Sequence, residues 1–332
     1  MNRRLRFASC LSTAAAIAGC VRAPLHAAPA PLKIVRDIPM PGDTSRFDYV
    51  SLDPGSGRLY IAHLGAGKVV VADVRAARIV GEVDGVPAAH GVLYVPALHR
   101  LFASATGRKQ VAVIDTDLLR VVGNIPAGTY PDGIAYDPTG GDLYVSDEHG
   151  GADVVIDPKA GRDVATIRLG GDVGNTQYDS GTKMILVAVG DPPELAAIDP
   201  VANKVVRTLP LPDGKGPHGL YIDAPNRLAF VACEDNDRLL TVDLKSWQVT
   251  QNLPVSAGPD VLAFDPDLHR LYVACEDGPL SIFSLAGRRL QKLADLPVGN
   301  NAHSVAVDPS THYVYLPLKD VGGKPVLRVM TP

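Results

Sequence analysis

From Asp53 onward the chain repeats itself. Asp53, Val95, Asp137, Asp179, Asp223, Asp265 and Asp308 each close a short apolar run, at intervals of 42, 42, 42, 44, 42 and 43 residues. A second β-type run follows every one of them: "RLYIA", "RLFAS", "DLYVS", "MILVA", "LAFVA", "RLYVA" and "YVYLP". A third ends in Asp in five units ("VVVAD", "VAVID", "DVVID", "LAAID", "LLTVD"), and a fourth reads "RIVGEV", "RVVGNI", "DVATIRL", "KVVRTLPL" and "QVTQNLPV" in the units where it is clearest. Four short strands every ~40–45 residues are the pattern of propeller blades, each packing on the next around an axis. A β-sandwich has no need of so regular a spacing. The last unit stops after its third strand at "PVLRVMTP", while "LKIVRDIPM" near the start stands alone as an unpaired fourth strand. Joining them closes the ring and protects an open sheet edge. The expected fold is therefore all-β, a single seven-bladed β-propeller of four-stranded blades over residues 31–332, closed by an N-terminal outer strand that pairs with the last blade.

Residues 1–30 read as a separate object. Arg3, Arg4 and Arg6 precede an apolar run from Phe7 to Ala18, followed by small residues. A basic, an apolar and a small-residue zone in this order make an export signal. Cleavage near Ala27–Ala30 gives a free periplasmic or secreted protein, and the Ile17–Cys20 "IAGC" offers a lipoprotein box with Cys20 lipidated. Residues 1–28 carry four arginines and no acid, so without them the formal net charge falls from −4 to −8. An acidic chain has no general electrostatic attraction for nucleic acid or an anionic membrane. A monomer with no transmembrane segment is expected.

The run "YVSDEHGGADVVIDPKAGRDVATIRLGG", Tyr144 to Gly171, resembles the YVTN-repeat propellers, including the YncE-like proteins of bacterial periplasms. Their tetrapeptide appears as Tyr144-Val145-Ser146-Asp147, Tyr272-Val273-Ala274-Cys275 and Tyr60-Ile61-Ala62-His63. Its last position, often Asn in that family, is here His63, Ala105, Asp147, Val189, Cys233, Cys275 and Leu318. The resemblance spans the repeat region and implies the architecture. It implies little about activity, because the family mixes binding proteins, surface proteins and some enzymes.

In a propeller blade the first strand borders the channel, and its start emerges on one face of the disc. Five residues before each repeat marker stand Asp48, His90, Asp132, Gly174, His218, Asp260 and His303. Six of seven positions around one channel mouth thus carry Asp or His. The ends of the second strands add Glu148, Glu234, Glu276 and Lys319 on the same face, with His63 and His149 beside them. His90, His218 and His303 are the candidate metal ligands. Asp48, Asp132, Asp260, Glu148, Glu234 and Glu276 are the candidate ligand-binding groups. Imidazole with carboxylate suits Zn, Mn or Cu. A second aligned trio, His99, His269 and His312, falls in turns of the opposite face and is expected only to decorate them.

The expected function is a binding module presenting this mouth to a small ligand, a metal ion or a protein partner. The alternative is a metal-dependent lactonase- or lyase-type enzyme using the same mouth, as some seven-bladed propellers are. Nucleic-acid binding, suggested for YncE-like relatives, is disfavoured by the charge. HExxH, G-x-S-x-G and CxxC are absent from the sequence. Cys233 and Cys275 occupy one register in neighbouring blades, where ring geometry separates their Cα atoms by about 10 Å, too far for a disulfide. Two buried free thiols are expected.

Overall fold

Each unit of the repeat folds into one antiparallel four-stranded sheet, and seven such sheets form the ring in a computed structural model that describes residues 31–332. Blade 1 runs from its innermost strand Val50–Asp53 to its outermost strand Arg78–Asp84. Blades 2 to 6 begin on Ala89–Val95, Pro131–Tyr136, Val173–Asp179, Pro217–Asp223 and Pro259–Asp265. Blade 7 holds Ala306–Asp308, Tyr313–Leu318 and Val326–Thr331, and its fourth strand is Lys33–Pro39 from the other end of the chain. The ring is thus closed as expected. Arg328 reinforces the closure by donating from Nε and Nη2 to the two carboxylate oxygens of Asp37, at 2.8 and 2.7 Å. The export signal and its two processing routes lie outside the described residues. Among the described residues no helix is long and apolar enough to cross a membrane.

The second strand of every blade carries one large apolar residue in a fixed register: Tyr60, Phe102, Tyr144, Leu186, Phe230, Tyr272 and Tyr315. None is more than 1% exposed. Burying each side chain stabilises the ring by about 1.5–3 kcal/mol. The core lies between blades, as where Tyr60 packs with Leu101 or Tyr144 with Ile185. Cys233 and Cys275 are buried free thiols, and burial pushes each up to about 12.

The turns explain two other registers. The recurring Asp at the end of the third strand accepts backbone N–H bonds from its own turn, as Asp115 does from Asp117 and Leu118. Position four after each marker is Gly57, His99, Gly141, Lys183, Arg227, His269 and His312, and all seven adopt positive φ. The turn into the second strand demands a left-handed residue there. His312 does more than decorate: its Nδ1 lies 2.8 Å from Oδ2 of the buried Asp265 in the preceding blade.

Candidate functional site

Four of the six mouth residues, His90, Asp132, His218 and Asp260, are delivered by an irregularity of the backbone, while Asp48 and His303 precede their strands. In blades 2 to 6 the ladder between the first and second strands slips just inside its start, between Ala89 and Val92, Pro131 and Ile134, Val173 and Thr176, Pro217 and Leu220, and Pro259 and Leu262. The skipped pair is His90-Gly91, Asp132-Gly133, Gly174-Asn175, His218-Gly219 or Asp260-Val261. A β-bulge of this kind re-aims a side chain that regular pairing would turn into a blade face. The glycines in it answer to close packing. A Cβ on Gly91 would lie 2.1 Å from the carbonyl oxygen of Asp132, and one on Gly219 would lie 1.7 Å from that of Asp260. Gly174, the ring member without a functional side chain, is under the same constraint, since a Cβ there would lie 2.5 Å from Cα of His218.

Asp48, His90, Asp132, His218, Asp260 and His303 meet around a cavity of 460 Å³, with Glu148, Glu234 and Glu276 on its outer wall. His303 is the most heavily engaged. Its Nε2 lies 3.0 Å from Asp48 Oδ1 and 3.0 Å from Asp260 Oδ2, and its Nδ1 lies 2.8 Å from Glu276 Oε1. His218 Nδ1 lies 3.0 Å from Asp260 Oδ1, and its Nε2 is 3.8 Å from Asp132 Oδ2. Burial works against charge on both imidazoles, but Asp260 outweighs it, bringing His303 to about 10 and His218 well above its ordinary value. Burial likewise opposes the Asp260 carboxylate, yet His303 and His218 hold its pKa well below the usual range. Asp132 goes the other way. Burial and the nearby Asp48 push it up to about 7.

Two groups of side chains bring enough donors together to hold a metal ion. Ligand atoms of Asp48, His90 and Asp132 lie within 4.8 Å of one another, as do those of Asp260, Glu276 and His303. The candidate metal ligands are therefore divided: His90 belongs to the first group, His303 to the second, and His218 to neither. His63 is not at the mouth. It is fully buried, stacked on Phe47 with ring centroids 4.1 Å apart. His149 stands outside the cavity against Tyr130 and Asp172, and Lys319 is not part of the wall.

Sequence reasoning missed four contributors. Tyr49 donates to Asp132 Oδ2 at 3.2 Å and receives a bond from Asn175 Nδ2 at 2.9 Å, making a floor beneath the mouth. Tyr130 places its hydroxyl 3.3 Å from His90 Nε2. Arg46 bonds Glu276 at 3.1 Å and reaches His303. A usable signal existed for Arg46 and Tyr130. The register two residues before the ring reads Arg46, Ala88, Tyr130, Asp172, Gly216, Gly258 and Asn301, and these two supply its largest side chains.

A larger cavity of 540 Å³ opens at the other end, lined by Leu93, Tyr94, Ile134, Tyr136 and Tyr178 among others. Among its lining residues there is no Asp, Glu, His, Lys or Arg. Fold and mouth together define a seven-bladed β-propeller with a carboxylate–imidazole channel mouth. A chain of Kuenenia stuttgartiensis hydrazine synthase is similar in structure, with a TM-score of 0.73 and 18% sequence identity over 84% of this chain and 94% of that one. At that identity the likeness shows the fold alone. Comparison with protein-family models finds no match, and comparison with curated proteins finds none either.

Proposed function

We propose that the chain is an exported, YVTN/YncE-like binding propeller whose working surface is the Asp/His mouth, where it takes a divalent transition metal (Zn, Mn or Cu) together with a small ligand or protein partner. The observation that carries this reading is convergence. Six side chains from six blades are steered into one cavity of 460 Å³, and they are of two types that ligate metals. The aligned histidines of the opposite face meet nowhere. Export, and a periplasmic or secreted location, rest on the basic and apolar zones of residues 1–30.

A lactonase- or lyase-type enzyme is the second reading. Asp132 favours it: a buried carboxyl held at about 7 beside His218 is poised to exchange a proton near neutral pH.

The test is a thermal-shift series on the mature protein with Zn, Mn, Cu and Mg salts. It compares the parent with His90→Ala at the mouth and His99→Asn on the opposite face. At least one of the three transition ions should raise the Tm of the parent and of His99→Asn, and leave His90→Ala unmoved. Equal shifts in all three proteins, or none in any, would remove the mouth as the metal site.

A further inference from the structure

The two candidate donor groups are not equivalent. Asp48 is 1% exposed, and its Oδ2 is buried with no hydrogen-bond partner, although its Oδ1 faces His303. Across the gap, 3.9 Å away, stands His90 Nε2. His90 Nδ1 lies 2.9 Å from the carbonyl oxygen of Ala88, an acceptor, so Nδ1 carries the hydrogen and Nε2 presents its lone pair. A ring nitrogen anchored on a backbone carbonyl, with the other left free, is the arrangement that orients metal-ligating histidines. Asp132 completes the trio. Two buried acceptors facing each other with no proton between them want a cation, and the Tyr130 hydroxyl at 3.3 Å from Nε2 is a distant competitor for it.

The second group lacks these features. Both nitrogens of His303 already face carboxylates, Nε2 toward Asp48 and Asp260 and Nδ1 toward Glu276. Neither has a lone pair to offer while it donates in this way. Arg46 supplies a permanent positive charge at the same spot, with Nη2 3.1 Å from Glu276 Oε1 and 3.0 Å from His303 Nε2. A second ion would have to displace or repel it.

Resting on the reading of the mouth as a metal site, we propose that it binds one divalent cation and not two, through Asp48, His90 and Asp132, with Arg46 serving as the built-in cation of the Asp260–Glu276–His303 half. Three protein donors leave at least one coordination position open to the cavity. The ion is therefore placed to bind an exogenous ligand and is not a sealed structural metal.

Stoichiometry decides this. The mature protein is titrated with Zn and Mn by calorimetry and checked by elemental analysis after desalting, with circular dichroism to verify that every variant is folded. The expected result is one ion per chain in the parent and none in Asp48→Asn or His90→Ala. Arg46→Met, which keeps much of the stem and loses the charge, should still take one ion, since His303 keeps both nitrogens on carboxylates, but should unfold at lower urea than Arg46→Lys. Two ions in the parent would overturn the one-ion assignment while leaving the mouth a metal site, and an ion retained by His90→Ala would overturn the assignment and the mouth reading together. Arg46→Met as stable as Arg46→Lys would overturn the role given to Arg46. No ion in the parent would overturn this proposal and the metal reading together.

Discussion

His303 and Asp48 stand 255 positions apart in the chain and 3.0 Å apart in space, Nε2 to Oδ1, where blade 7 meets blade 1. They join the two ends of the repeat on the inside of the ring, as the Lys33–Pro39 strand joins them on the outside. His303 is 2% exposed and also faces Asp260 and Glu276. His303→Ala would strand three carboxylates without their shared partner. Removing one member of a buried charged group costs about 3–5 kcal/mol, and equilibrium denaturation of the variant against the parent should show a loss of that order.

The bulge glycines make a sharper test of the backbone. Gly219→Ala places its Cβ 1.7 Å from the Asp260 carbonyl oxygen, a backbone atom that cannot swing aside. Gly123, on an outer strand, would bring its Cβ no closer than 3.8 Å to Val113. Gly219→Ala should destabilise the fold by on the order of 3 kcal/mol, whereas Gly123→Ala should stay within about 0.5 kcal/mol of the parent. Equal urea midpoints for the two variants would contradict the close packing of neighbouring bulges.

Asp153 sets a pH dependence away from the mouth. It is fully buried between blades 3 and 4, receives a 3.0 Å bond from Thr176 Oγ1, and leaves Oδ1 unpartnered. Burial pushes its carboxyl up to about 7 from 3.8. A raised acid binds its proton more tightly folded than unfolded. Its contribution to stability is complete below 3.8 and is lost as pH rises through about 7. Asp153→Asn, neutral throughout, should gain on the parent by on the order of a few kcal/mol between pH 4 and pH 8. Stability curves that run parallel over this range would refute it.

Ring closure can be loosened selectively. Arg328 holds Asp37 through two hydrogen bonds and also donates from Nη1 to the Val298 carbonyl at 2.7 Å. Arg328→Lys keeps the charge without the planar fork, and Arg328→Ala removes both. Hydrogen exchange should accelerate in Lys33–Pro39 and Val326–Thr331, more for Ala than for Lys, while blades 3 and 4 keep the parent's protection. Uniform acceleration around the whole ring would mean that this pair does not guard the closure.

Much of this was legible because a repeat is its own alignment. Strand count, blade boundaries, the shared closing blade and the Asp/His ring all follow from register alone. Register, however, says which residues reach the mouth and not which of them pair. His90 and His303 are equivalent in the repeat, yet one meets only the Tyr130 hydroxyl at Nε2 and the other spends both nitrogens on carboxylates. The difference comes from a local carbonyl in one case, Ala88 two residues before His90, and from Glu276 of the neighbouring blade in the other. His63 illustrates the opposite failure. It ends a second strand, as the register requires, but Phe47 stacks on it, an aromatic where the other units carry Ala89, Pro131, Val173, Pro217, Pro259 and Ala302. For Arg46 the register marks an unusually large side chain two residues before the ring, but not its reach to Glu276.

The bulges at the head of the first strands have a consequence for how such a protein can change. A residue in the regular ladder is answerable to its cross-strand partner and to the core, and replacing it disturbs both. The bulged residue is excused from the ladder, and where it is His or Asp its side chain faces the mouth cavity. Its identity is answerable to the neighbouring blade's mouth residue and not to its own ladder, so a change between His and Asp leaves the pairing within its blade intact. The mouth is in that sense a seven-character inscription on a fixed wheel, and six of its characters here spell out a taste for cations.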